Sequence, residues 1–253
     1  MPQRRKHSNA QRKLLSLLTI TLFAGTIFFL VFSENFRIQK IIIERKGSFV
    51  EIDSFKKISA PFLRKNIFLF DTEILQKKII TAHPEIQQIA IKKQIPSSVK
   101  ISLIAYPVVA NLTNTFGDFK KKFQINEKGV LVTENKENAT LPYLKMSTEK
   151  SLVVGKEIID KKNLDFTLES IHMFEEIFAM KVVDALYKPI EREVHLRTEK
   201  GFMVWLDTQK DLKKQFEKLK RALSNLDIYN TPLEYIDLRI PGIENEKIFY
   251  KRK

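Results

Sequence analysis

Three segments of this 253-residue chain satisfy S-x-x-K, the spacing that can bring a serine hydroxyl and a lysine amine together as nucleophile and base: Ser54-Phe55-Lys56-Lys57, Ser97-Ser98-Val99-Lys100 and Ser147-Thr148-Glu149-Lys150. Chance supplies such four-residue matches readily in a chain with 44 lysines and arginines, and no K-T-G or S-D-N accompanies them. Glu175-Glu176 and Glu191-Arg192-Glu193 offer paired carboxylates, but neighbours along a helix or strand do not converge across a cleft as acid/base work requires. His7, His83, His172 and His195 are scattered, and the absence of cysteine removes thiolate ligands and disulfides. His83 reads as a cation at a helix end, His172 as solvated, and His195 as part of a polar strand face. No glycine pattern of the phosphate-cradling kind occurs. The expectation from residue types is therefore no catalytic, cofactor-binding or metal-binding residues, no cofactor, no small-molecule substrate, and a chain that is not an enzyme.

The elements are more informative than the reactive groups. Arg4, Arg5, Lys6, Arg12 and Lys13 precede every acidic residue, and residues 14–32, with Leu14 and Phe32 as the ends, carry no charge. At about 1.5 Å per residue such a run nearly crosses a hydrocarbon core of about 30 Å. A cleaved signal peptide has a shorter apolar region and a small-residue cleavage site, and a core helix is seldom apolar all round with five cations beside it. The reading is one transmembrane helix behind a basic cytoplasmic tail (residues 1–13), with everything beyond it outside the cytoplasm. The formal charge of +14 is thereby partly a topology signal. The remaining excess of cations fits anionic lipid, acidic wall polymer or a solvated surface equally, and no aromatic-basic motif points to nucleic acid.

Past the helix, residues 36–44 read as a strand and residues 51–60 as a short helix ended by Pro61. A second helix follows with Asp71 as its cap and Phe70 and Leu75 as a hydrophobic staple, before His83-Pro84. A hairpin then turns at Ile95-Pro96-Ser97-Ser98. Lys93 sits there in the parity of Ile89 and Ile91, either guarding an edge strand or snorkelling at the rim of a small core. From Pro107 onward short strands dominate, with helices beginning near Leu164 and Leu212 and final strands in EYIDLRI and EKIFYK. The fold class is α+β: the transmembrane helix, a β-α-α-β-β module over residues 36–106, and a β-rich domain with two helices over 107–253.

That order, with Asn66-Ile67-Phe68, Ile95-Pro96-Ser97-Ser98-Val99-Lys100-Ile101 and Tyr106-Pro107-Val108-Val109-Ala110, resembles the POTRA module of FtsQ/DivIB-type bacterial cell-division proteins. FQINEKGVLVT, HLRTEKGFMVWLD and EYIDLRIPG resemble the outer domain of the same family in the same order. The resemblance implies a non-enzymatic scaffold in the cytoplasmic membrane at the division septum, with the last strands receiving FtsB/FtsL-like partners. By position it implicates Arg239, Ile240 and Gly242, and more loosely Ile243 and Phe249. The bland reading of the same residues is that Ile240 and Phe249 are core, Arg239 pairs with Asp237, and Gly242 turns the chain. The rival function is a POTRA-bearing envelope chaperone or secretion accessory that captures extended strands.

Overall fold

The computed structural model of the chain describes residues 9–46, 52–115, 121–149, 152–240 and 248–253. It is mixed α+β and divides into two compact units at Ile104/Ala105. The first unit opens with α1 (Asn9–Phe32), whose segment Arg12–Phe32 is long and apolar enough to cross a membrane. Large side chains such as Leu18, Leu22, Phe23 and Phe28 stand exposed on it, so its apolar surface is not used to build a protein core. The Ser16, Thr19, Thr21 and Thr26 hydroxyls donate to carbonyls three or four residues earlier in the helix. Polar groups that would be costly in hydrocarbon are thus satisfied within the helix itself.

The rest of the first unit is β1 (Lys40–Lys46), α2 (Ile52–Ser59), α3 (Thr72–Ala82), β2 (Ile86–Gln94) and β3 (Ser98–Ala105). β3 is the central strand, parallel to β1 on one side and beside β2 on the other. Phe55, Ile67, Leu75, Ile79, Val99 and Ile101 are fully buried, each apolar side chain contributing about 1.5–3 kcal/mol by leaving water. Asp71 caps α3 by accepting from the Glu73 N–H at 2.8 Å, and Phe70 and Leu75 are both buried. The strand expected over 36–44 begins only at Lys40, because Phe36, Arg37 and Ile38 pair instead with residues 64–67. Asn66 anchors that pairing: its Nδ2 donates to the Leu30 and Val31 carbonyls of α1, both at 2.8 Å, and its Oδ1 accepts from the Phe68 N–H.

β2 lies at an edge of this sheet, and Lys93 reaches back from it. Its Nζ donates to the Phe68 carbonyl at 3.3 Å and lies 5.8 Å from the Phe70 ring centroid. The lysine therefore covers the rim of the core and places a cation on an edge strand. Lys93→Ile is expected to raise self-association of the full chain in detergent while leaving its circular dichroism unchanged. An unaltered sedimentation profile would refute the guarding role.

The second unit is a nine-stranded sheet. Its strands are β4 (Val108–Asn114), β5 (Lys122–Asn126), β6 (Leu131–Glu134), β7 (Tyr143–Met146), β8 (Val182–Lys188), β9 (Glu193–Thr198), β10 (Met203–Asp207), β11 (Leu233–Asp237) and β12 (Phe249–Arg252). They run in the order β12-β11-β10-β9-β8-β7-β4-β5-β6. The two long connections are helical: α4 (Lys161–Phe178) links parallel β7 and β8, and α5 (Leu212–Ala222) links parallel β10 and β11. Asp160 and Asp211 cap these helices, accepting from the N–H groups of Asn163 and Lys214. Phe174 and Phe178 of α4 meet Phe216 of α5, each with ring centroids 5.9 Å from it, over Leu196, Val204 and Ile236. One sheet face is thus the core, and paired residues across the strands put His195, Trp205 and Asp237 on the other.

Candidate partner-docking edge

The two ends of the nine-stranded sheet differ. Beyond β6 the chain returns: the Leu131 N–H donates to the Lys156 carbonyl, the Gly155 N–H to the Leu131 carbonyl, and the Ile158 N–H to the Gly129 carbonyl. At the other end, among the described residues, β12 is paired only on its β11 side. All four of its residues are exposed. A strand so placed offers a row of backbone N–H and C=O groups to an incoming strand.

Tyr250 pairs with Ile236 and so shares the helix-covered face, whereas Phe249 pairs with Asp237 on the opposite face. Ile248 and Tyr250 line a cleft of about 320 Å³ with Arg221, Asn225 and Leu226. Arg221 also lines a second cleft of about 520 Å³, formed by α5 and the residues that follow β11, where Lys210, Lys214, Lys218 and Arg239 outnumber Asp211 and Glu217 over Leu238 and Ile240. Lys218 is buried, and its Nζ donates to the Ile240 carbonyl at 2.6 Å. Burial holds that amine below its ordinary basicity despite the attraction of Asp237.

Of the residues implicated from the sequence, Phe249 and Ile240 are exposed and not core. Gly242 and Ile243 lie outside the described residues, as do Lys150 of the third S-x-x-K segment and the basic residues 4–6. Arg239 is engaged within the unit. Its guanidinium donates to both Asp237 carboxylate oxygens, at 2.9 and 2.7 Å, and to Glu193, and its Cζ lies 4.7 Å above the Trp205 ring. Burial pushes the Asp237 carboxyl up, but the Arg239 side chain and backbone N–H outweigh it and hold the carboxyl below the usual range. Arg239 therefore works as a clamp that fixes the exit of β11. β11 itself, the strand of EYIDLRI, is interior, so the open edge is supplied by β12 instead.

His195 is covered although it lies on a polar strand face. Its ring stacks on Trp205 at 4.9 Å and bonds Glu193 at 2.8 Å, leaving it buried. Trp205 stacks in turn on Tyr235 at 4.1 Å, which makes a row of rings along that face. Burial lowers the His195 pKa from its ordinary 6.5, with the Glu193 hydrogen bond pulling the other way. The unfolded chain therefore takes up the proton first. This contribution to stability is complete above about pH 6.5 and is lost as pH falls through that value toward the depressed folded one. The urea midpoint of the second unit is expected to drop between about pH 7.5 and about pH 5.5, and His195→Gln to flatten the drop. Asp237 acts in a separate window, below its ordinary 3.8.

The first unit holds a hydrogen-bonded relay that no sequence motif announces. Ser54 Oγ lies 3.2 Å from His83 Nε2, and His83 Nδ1 lies 2.7 Å from Glu85 Oε1. Phe55 stacks on the imidazole at 3.9 Å, so the relay straps α2 to the end of α3. Ser54 and His83 are 29 positions apart, and no local pattern joins them. Lys100 of the second S-x-x-K segment pairs with Glu44. No group of three metal-ligating side chains occurs among the described residues.

No family model matches the chain. An ornithine carbamoyltransferase of Buchnera aphidicola subsp. Baizongia pistaciae (strain Bp) is similar to part of it, 35% identical over 75 residues. The match covers 30% of this chain and 21% of that protein, so the chain matches only about a fifth of that relative's length. The relative is an enzyme, and the expectation that this chain is not one is corrected on that ground. Similarity spread over 75 residues is a signal that short reactive motifs do not carry.

Proposed function

We propose that the chain is a single-pass membrane-anchored scaffold of the bacterial division complex. In this reading residues 36–106 form a POTRA module and residues 107–253 an FtsQ/DivIB-type β domain, both outside the cytoplasm. The observation that carries it is the open edge of β12 beside a cation-lined cleft, in a chain that begins with a helix of membrane-spanning length. An FtsB/FtsL-like partner would add a strand to β12, with main-chain bonds supplying affinity and acidic side chains meeting Lys210, Lys214 and Arg221. Tethering both partners to one membrane raises their effective concentration, so a small interface suffices. A fluorescent fusion should concentrate at midcell and depletion should give filaments; even distribution with normal septation would dismiss the reading.

The carbamoyltransferase match favours a second reading, in which the shared stretch holds a substrate group. Purified full chain would then transfer a carbamoyl group to ornithine, and no transfer above the blank would remove that reading's support.

A further inference from the structure

We infer that the first unit docks on the lipid surface from which α1 emerges, through the loop that holds Phe68 and Leu69. The inference rests on the reading of α1 as membrane-spanning. Arg12–Phe32 is 21 residues, about 31 Å of helix, so the Leu30 and Val31 carbonyls stand at one boundary of a hydrocarbon core of about 30 Å. Asn66 bonds both carbonyls, which places its loop at that depth. Further bonds hold the loop there: the Ile67 N–H donates to the Phe36 carbonyl, the Ile38 N–H to the Lys65 carbonyl, and the Arg64 N–H to the Ile38 carbonyl, all within 2.9 Å. The aromatic chain Phe29, Phe36, Phe68, with successive centroids 5.9 and 5.2 Å apart, continues from the helix into the loop.

Within this loop the side chains divide. Ile67 and Phe70 enter the core, while Phe68 and Leu69 face out, Leu69 with 69% of its surface exposed. Two large apolar side chains at the tip of a loop in water are unfavourable, and at the boundary of headgroups and acyl chains they are stabilised. Arg37, Arg64 and Lys65 are exposed in the same paired segments, and Lys93 bonds the Phe68 carbonyl; the acids nearby in sequence are Glu34, Asp71 and Glu73. A pair of exposed apolar residues with cations in the adjoining segments fits an anionic bilayer surface, with the cations at headgroup level. Docking of this kind would set the tilt of the unit on its membrane and not merely its tether length.

The chain has no cysteine, so single labels report cleanly. Full-length chain carrying Leu69→Cys, Phe23→Cys or Gln87→Cys is labelled with an environment-sensitive fluorophore. Each is reconstituted into vesicles of phosphatidylethanolamine with a minor share of phosphatidylglycerol. Nitroxide placed near the top of the lipid acyl chain is compared with a water-soluble quencher. The Leu69 label is expected to be quenched by the lipid nitroxide severalfold more than the Gln87 label, and the preference to weaken when Arg64→Glu and Lys65→Glu are combined with it. A Leu69 label that behaves like the Gln87 label, while the Phe23 label reports hydrocarbon, overturns docking and leaves the anchor intact. A Phe23 label in water overturns both.

Discussion

Arg239→Ala is expected to destabilise the second unit by about 3 kcal/mol, more than any other change on its polar face. The reason is what remains: Asp237 is buried and Glu193 nearly so, and both lose the cation that neutralises them. Trp205 simultaneously loses the guanidinium over its ring. Because the Arg239 clamp fixes the chain as it leaves β11, the exposed Ile240 and the cleft around it should loosen together with the core strand. Adding Asp237→Asn should recover part of the loss, since it removes one of the orphaned charges, and a double-mutant cycle by urea unfolding of the full chain in detergent would measure that coupling. If the single variant unfolds at the parental midpoint, the clamp has no structural role.

Gly129→Ala should be at least as damaging, at about 3 kcal/mol or more. Gly129 has φ +75, and a Cβ there would lie 1.7 Å from the Ile159 carbonyl oxygen. That oxygen belongs to the backbone that leads through Asp160, the cap of α4, so it has no flexible end to move. The same contact closes the protected edge of the sheet, where the Ile158 N–H bonds the Gly129 carbonyl. Gly155→Ala separates the two causes, for Gly155 has φ +84 with nothing within 4 Å of the added atom. It should show only the backbone penalty of about 1 kcal/mol. Equal thermal midpoints for the two variants would contradict the steric argument.

What was legible in the sequence was local. The Asp71 cap is written within a few positions and appears as read, and the flanking Phe70 and Leu75 are both buried. Pairing across long separations was not legible. Nothing near EYIDLRI shows that α5 carries the chain over to set β11 parallel to β10, or that β12 then covers its other side. Alternation in EVHLRT assigned His195 to the correct face, but coverage by Trp205 depends on a neighbouring strand that periodicity does not see. Asn66 illustrates the middle case. Asn66-Ile67-Phe68 stood out as a pattern, and only the contacts with Leu30 and Val31 explain why an asparagine is there.

The central claim is that β12 is the edge on which a partner docks. A photo-crosslinking residue placed at Phe249 in the full chain, in dividing cells, tests it most directly, with the same residue at exposed Glu134, at the opposite end of the sheet, as the comparison. The account predicts a crosslink from position 249 to a single-pass FtsB-like partner and none from position 134. Equal labelling from both positions, or none from 249 in cells that divide normally, would contradict it.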